Sequence, residues 1–213
     1  MSFQPALPRK SPRQKRSLET VDVILEGATR IFEAHGHEAT TNQIADLAGV
    51  SIGSLYQYFP HKDALLTALH ERHVEEVAAA VSRALEPTGR LSWQDELRRA
   101  VKEVVDIHGH QPRLQRLLHL EKPWLERPAV ESQATQRMLA DTRRWLQRHR
   151  GCLAVSDDAC VAATVLRMVE SLVHAALLDP LPTLNQNNVA LAASESVEGY
   201  LTMPRCRAQP ADL

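Results

Sequence analysis

Residues 51 to 65 read SIGSLYQYFPHKDAL and gather two of the chain's three tyrosines with two serines, a glutamine and a lysine. Hydroxyls, a carboxamide and an ammonium supply hydrogen bonds and a point charge, but no paired carboxylates and no activated nucleophile. The chemistry they offer is recognition of polar edges on another molecule. Elsewhere the chain has no GxSxG, HExxH, GxGxxG or phosphate-loop pattern, and no enzyme is expected. Cys152, Cys160 and Cys206 are odd in number and form no CxxC or zinc-finger spacing, which points to a reducing, cytosolic setting. His108, His110 and His119, and the close pair His35 and His37, raise the question of a metal. Asp106 and His110 stand four apart, but Gly109 and Pro112 end that helix, and His-x-His on a helix sends its rings to different faces. Surface or pocket histidines are therefore expected, with no metal and no other cofactor.

The elements that must position these groups are helices. Across 213 residues glycine is scarce and most prolines fall at 5 to 12, 112 to 128 and 180 to 182, leaving long intervals without breakers. Val21, Ile24, Leu25, Ala28, Ile31 and Phe32 step by three and four before Gly36. Thr40 with Gln43 is a capping-box pattern for a second, short helix, and Ser51 caps a third that Pro60 ends. A long helix follows from Lys62 to about Leu85, and further amphipathic segments run on to a last one from about Leu184 to Leu201. The expected fold class is all-α, about nine helices, with no alternating strand. The start lacks an apolar leader, and no stretch nears the roughly 18 uninterrupted apolar residues of a membrane span. Lysine plus arginine (25) nearly balance aspartate plus glutamate (26), so total charge names no partner. Residues 1 to 16, however, hold Arg9, Lys10, Arg13, Lys15 and Arg16 with no acid, a basic arm that either follows DNA or is a solvated tail.

Two short helices joined by a tight turn form a helix-turn-helix. Ala45 is small where the helices should approach most closely, Gly49 suits the turn, and Ile44, Leu47, Val50 and Leu55 are the expected wedge core. The second helix then presents Ile52, Gly53, Ser54, Tyr56, Gln57 and Tyr58 away from the wedge, as a recognition helix does in the major groove. Ser54 and Gln57 would hydrogen-bond to bases, Gly53 would allow close approach, and both tyrosines would face outward, with Phe59 inward. Thr40 and Thr41 at a helix N-terminus suit a phosphate, or cap only. Lys62 would supply a positioning charge to the DNA backbone.

The run ATTNQIADLAGVSIGSLYQYFPHKDAL resembles the DNA-binding signature of the TetR family of bacterial transcriptional regulators, over about residues 18 to 70. That resemblance implies DNA contacts from Thr40, Thr41, Asn42, Ser51, Ile52, Gly53, Ser54, Tyr56, Gln57, Tyr58 and Lys62. His61 departs from the family pattern, where a small polar cap is usual; a cap through its ring is the preferred reading, a phosphate contact the other. The implied organisation is an arm at 1–16, a DNA-binding domain at 17–62, a ligand-binding and dimerisation domain at 63–203 and a tail at 204–213.

For the second domain the resemblance implies a pocket among helices from 91 to 178. Its expected lining residues are Val105, His108, Leu114, Leu118, Trp124, Met138, Thr142, Trp145, Arg167 and Glu170. Most residues at helical spacing are simply core, and Glu170 has Arg167 or His174 as a plainer partner than a cationic ligand. Alanines among large apolar residues in CVAATVLRMVESLVHAALL and NVALAASESVEGYL suit an isologous helical interface. The expectation is a cytoplasmic homodimeric regulator, a repressor, that leaves a pseudo-palindromic operator when a small effector binds. The rival reading is a helical carrier or enzyme in which the helix-turn-helix is incidental.

Overall fold

Helix caps and breakers set the element boundaries in the computed structural model, which describes residues 15–89, 91–121, 132–155, 159–178 and 180–203. Among these residues there are nine α-helices and no β-strand, only an isolated bridge between Leu181 and Leu184. They are α1 Lys15–His35, α2 Thr41–Ala48, α3 Ile52–Tyr58, α4 Lys62–Ala84, α5 Trp93–Gly109, α6 Pro112–Arg116, α7 Gln133–His149, α8 Ala159–Leu178 and α9 Val189–Thr202. A 3-10 turn at Gly36–Glu38 follows α1, and α6 runs directly into a π-helical turn at Leu117–Glu121. Of the arm expected at 1–16, residues 1–14 lie outside the described residues, as do Trp124 and the tail at 204–213, while Lys15 and Arg16 already belong to α1.

The chain forms two compact units that are not contiguous in sequence, one from residues 1–76 with 110–132, the other from 77–109 with 133–213. The core of the first gathers Ile24, Ala28 and Phe32 of α1, Ile44 and Ala45 of α2, Leu55 and Phe59 around α3, Leu65, Leu66 and Leu69 of α4, and Leu114, Leu117 and Leu118. Each large side chain buried there stabilises the unit by about 1.5–3 kcal/mol. The second unit packs α5, α7, α8 and α9 with the end of α4 around Trp93, Leu97, Val101, Trp145, Val165 and Val197. The carbonyls at the end of α4 are taken by two arginines, Arg99 donating to Ala84 O from Nε at 3.1 Å and Arg148 donating to Leu85 O at 2.6 Å. Those carbonyls have no intrahelical donor, so cationic partners suit them.

One boundary differs from the periodicity reading. The last helix begins at Val189 rather than about Leu184. Asn188 Oδ1 accepts from Asn185 N–H at 2.9 Å and Asn185 Oδ1 accepts from Asn187 N–H at 3.0 Å, side-chain bonds that replace the first helical turn. α8 is long and apolar enough to cross a membrane by length and composition alone, with a mean hydropathy of 1.6. Its Arg167 and Glu170 pair at 2.5 Å near its middle, and Val161, Val165 and Val173 are in the core of the second unit.

Candidate nucleic-acid interface

The geometry of α2 and α3 is fixed by short-range hydrogen bonds. Gln43 N–H donates to Thr40 Oγ1 at 3.3 Å and Thr40 N–H donates to Gln43 Oε1 at 2.9 Å, a complete capping box that satisfies two otherwise orphaned donors. Gly49 ends α2 at φ +67°, a left-handed conformation that costs a glycine nothing sterically, and its N–H reaches back to Ala45 O and Asp46 O. Ser54 N–H then donates to Ser51 Oγ at 3.1 Å and starts α3. His61 Nδ1 accepts from Ala64 N–H at 3.1 Å, so the ring caps α4 in the way a small polar side chain would.

Ala45 is buried, and a Cβ added to Gly27 of α1 would sit 3.2 Å from Ala48 Cβ and 3.3 Å from Ile44 O, so α1 and α2 also touch closely at that glycine. Leu47, expected in the wedge core, is instead 49% exposed. Ile44 and Ala45 already fill the inward face of this two-turn helix, and Leu47, two to three residues on, points away.

On α3, Leu55 and Phe59 face inward and are fully buried, while Ile52, Gly53, Tyr56 and Gln57 are exposed and Ser54 is half-buried. Thr40 and Asn42 at the start of α2 are exposed and Thr41 is half-buried. The Thr41 and Tyr56 hydroxyls share a hydrogen bond at 3.0 Å, which brings the start of α2 and the outer face of α3 onto one surface. Tyr58 does not face outward as expected. It is half-buried against the core, and its hydroxyl meets Ser17 Oγ of α1 at 3.0 Å, because a residue one position before inward-facing Phe59 lies at the edge of the buried face. Lys62 is half-buried too, and its ammonium donates to His37 O at 2.5 Å and to Ala39 O at 3.3 Å, closing the turn between α1 and α2. The surface that results carries hydroxyls, an amide and a backbone opened by glycine, with no charged group on α3 itself.

The residues expected to line a pocket divide between the units. Leu114 and Leu118 are buried in the core of the first. In the second, Val105 and Trp145 are core, Met138 packs against them, and Trp145 Nε1 donates to buried Glu96 at 3.0 Å. Glu96 is also the partner of His149 at 3.0 Å and Arg148 at 3.5 Å. Thr142 is buried with no hydrogen-bond partner for its hydroxyl. His108 Nδ1 donates to Val104 O at 2.8 Å, and its Nε2 lies 3.3 Å from Nε2 of His174. Arg167 and Glu170 pair with each other, the plainer of the alternatives for that carboxylate.

Two groupings escaped sequence reasoning. Glu33 and Arg113 are joined across some eighty residues, which no local pattern signals. His70 and His73, three apart on α4, meet His119, and that spacing was a signal in the sequence.

Comparison with known proteins agrees with this geometry. A sequence profile described as "Bacterial regulatory proteins, tetR family" matches residues 24–69, and one described as "Tetracyclin repressor-like, C-terminal domain" matches 92–190. The HTH-type transcriptional activator FasR of Mycolicibacterium smegmatis is 35% identical over 111 residues, 52% of this chain and 49% of that protein. The HTH-type transcriptional repressor Rv1474c of Mycobacterium tuberculosis is 39% identical over 61 residues, 28% of this chain and 33% of its own length. The aligned part thus spans half or less of these curated relatives. Among solved structures, a putative TetR-family regulator from Mesorhizobium loti superposes with a TM-score of 0.66 at 21% identity, covering 88% of this chain and 97% of that one. SmeT, the repressor of the Stenotrophomonas maltophilia multidrug efflux pump SmeDEF, superposes with a TM-score of 0.64 at 20% identity, covering 90% and 98%. The structures share the fold and the profiles cover both the helix-turn-helix and the following helices: the chain belongs to the TetR family of bacterial regulatory proteins.

Proposed function

We propose that the chain is a ligand-responsive transcriptional regulator, a repressor, that binds a pseudo-palindromic DNA operator as a homodimer in the cytoplasm and leaves it when a small molecule binds. The observation that carries this reading is the outer face of α3, where Ile52, Gly53, Tyr56 and Gln57 stand exposed while Leu55 and Phe59 lock the helix from beneath. A recognition helix needs that division, because side chains read base edges well only when the helix behind them is rigid. Gln57 would make the base-edge hydrogen bonds, with Ser54 beside it. Thr40, Thr41 and Asn42 would take phosphate at the start of α2, and Ser51 and Ile52 would border the groove. Tyr56 would contact the sugar-phosphate backbone, with Tyr58 and Lys62 at the rim. No catalytic step is assigned to any of these groups.

Two reading heads are required because a single helix-turn-helix grips too few phosphates for specific binding. The helices α8 and α9 suit the dimer contact: only 39% of the apolar window of α8 is buried within the chain, and Leu191 of α9 is 57% exposed. Val105, His108, Met138, Thr142 and Trp145 are the proposed ligand-facing residues of the second unit, with Arg167 and Glu170 at its surface. The ligand acts by favouring a dimer whose heads are wrongly spaced for successive major grooves, and can do so only through its different affinities for the two states.

The test is a gel-shift with DNA upstream of the chain's own gene, alongside a reporter driven by that DNA. Retarded DNA and a reporter that rises when the gene is deleted are the expected results. A reporter that falls on deletion would make the protein an activator, as FasR is named. No retardation of any upstream fragment at low salt would favour a carrier or enzyme whose helix-turn-helix is incidental.

A further inference from the structure

Between Thr41 and Tyr58 the chain has no lysine or arginine, and its one charged residue, Asp46, lies on α2. Guanine presents two acceptors, O6 and N7, in the major groove, and arginine or lysine is its usual partner. The reading head therefore lacks the side chains that most often select a G·C pair. Three exposed positions of α3, Ile52, Gly53 and Gln57, define what it has instead.

Gln57 makes no hydrogen bond among the described residues, so both halves of its carboxamide are available. The neighbouring hydroxyls are engaged: Ser54 Oγ lies 2.8 Å from Ser51 Oγ, and Tyr56 Oη shares its bond with Thr41. Ile52 opens the helix and is 37% exposed. At about 100° per residue, the exposed arc spans about 140° from Ile52 to Gln57, with Tyr56 and Gly53 inside it. Nothing within the fold asks for a glycine at 53: its φ is not positive, and an added Cβ would meet only Ser51 Oγ, at 3.9 Å. A glycine in a helix is less stable than an alanine, so bare backbone on an exposed face is explained by a partner that comes close.

Resting on the regulator reading above, we propose that α3 selects A·T pairs: Gln57 pairs with an adenine and Ile52 packs on the 5-methyl group of a thymine, with Gly53 letting the backbone come close enough for both. Adenine N7 accepts from Gln57 Nε2–H while adenine N6–H donates to Oε1. Guanine, with acceptors at both places, breaks that two-bond match. Thymine alone carries a methyl group in the groove, and an aliphatic side chain gains by covering it. Ile52 and Gln57 are about 7.5 Å apart along the helix axis, so the two bases stand about two steps apart in each half-site.

Double-stranded DNA with a randomised core is selected with the full-length protein. The bound half-site is then remade with 7-deazaadenine at each adenine, 7-deazaguanine at each guanine and uracil at each thymine. 7-Deazaadenine lacks the N7 acceptor, and uracil lacks the methyl group. One adenine should lose about tenfold in affinity with the deaza base, and one thymine about threefold with uracil. Gln57→Ala should bind the unmodified half-site about tenfold more weakly and be indifferent to 7-deazaadenine; Ile52→Ala should lose about threefold and be indifferent to uracil. Gly53→Ala should melt about 1–3 °C higher yet bind at least tenfold more weakly, whereas a purely structural glycine would melt lower when replaced. Bound DNA whose affinity responds to 7-deazaguanine instead, or to neither of the other analogues, or variants that stay as sensitive as the parent, would overturn the base assignment and leave the regulator reading intact. Selection of no DNA at all would remove both.

Discussion

Glu33, two residues from the end of α1, accepts a hydrogen bond from Leu114 N–H of α6 at 2.8 Å through its carboxylate. Arg113 N–H lies 3.4 Å from the other carboxylate oxygen, and the Arg113 guanidinium donates to Ala34 O at 2.6 Å. One residue pair thus caps α6 at its start and α1 near its end, each with the charge that its helix terminus favours. Within the first unit this ties the helix ahead of the π-turn to the helix that supports the reading head.

Glu33→Ala should lower stability by about 1 kcal/mol, the usual loss for an N-terminal cap, and Tm by about 2–4 °C. Glu33→Gln keeps an acceptor without the charge and should lose less. Thermal melting by circular dichroism decides it; equal losses in both variants would assign the effect to charge alone.

On α3, Gln57→Ala should weaken operator binding about tenfold while leaving Tm within a degree, since its side chain is exposed and base contacts are worth about 1–3 kcal/mol. Tyr58→Phe should act in the opposite way, losing the hydrogen bond to Ser17 with a small drop in Tm and little change in affinity. Quantitative gel-shifts beside melting curves would expose a reversal of this order.

Lys62 distinguishes two roles by salt dependence. A phosphate contact would reduce the slope of log K against log salt by about 1 when removed. Because the ammonium already donates to His37 O and Ala39 O, Lys62→Ala is expected to lower Tm measurably and to change that slope by less than 1. A full unit of slope with an unchanged Tm would return Lys62 to the DNA backbone.

Glu96 in the second unit is 3% exposed and holds Trp145, His149 and Arg148. Glu96→Ala strands all three partners and should destabilise the protein by about 3 kcal/mol or more, whereas Glu96→Gln keeps an acceptor and should cost less. Urea denaturation would show it as a lower midpoint; a loss below about 1 kcal/mol in Glu96→Ala would mean that water reaches the site.

The sequence by itself determined the helices and the reading head, because the decisive interactions there span only a few residues. Thr40 caps through Gln43, Gly49 turns the chain, Ser51 caps through Ser54, and His61 caps through Ala64. Helical period likewise put Leu55 and Phe59 inside and Gln57 outside. Only the tertiary structure decided which neighbour covers each face. It left Leu47 exposed, drew Tyr58 to Ser17, gave the Lys62 charge to backbone carbonyls, and brought His119 from a pitch change to His70 and His73. Glu33 and Leu114 are 81 residues apart, a separation that periodicity cannot bridge, since it says which residues share a face but not what lies against it.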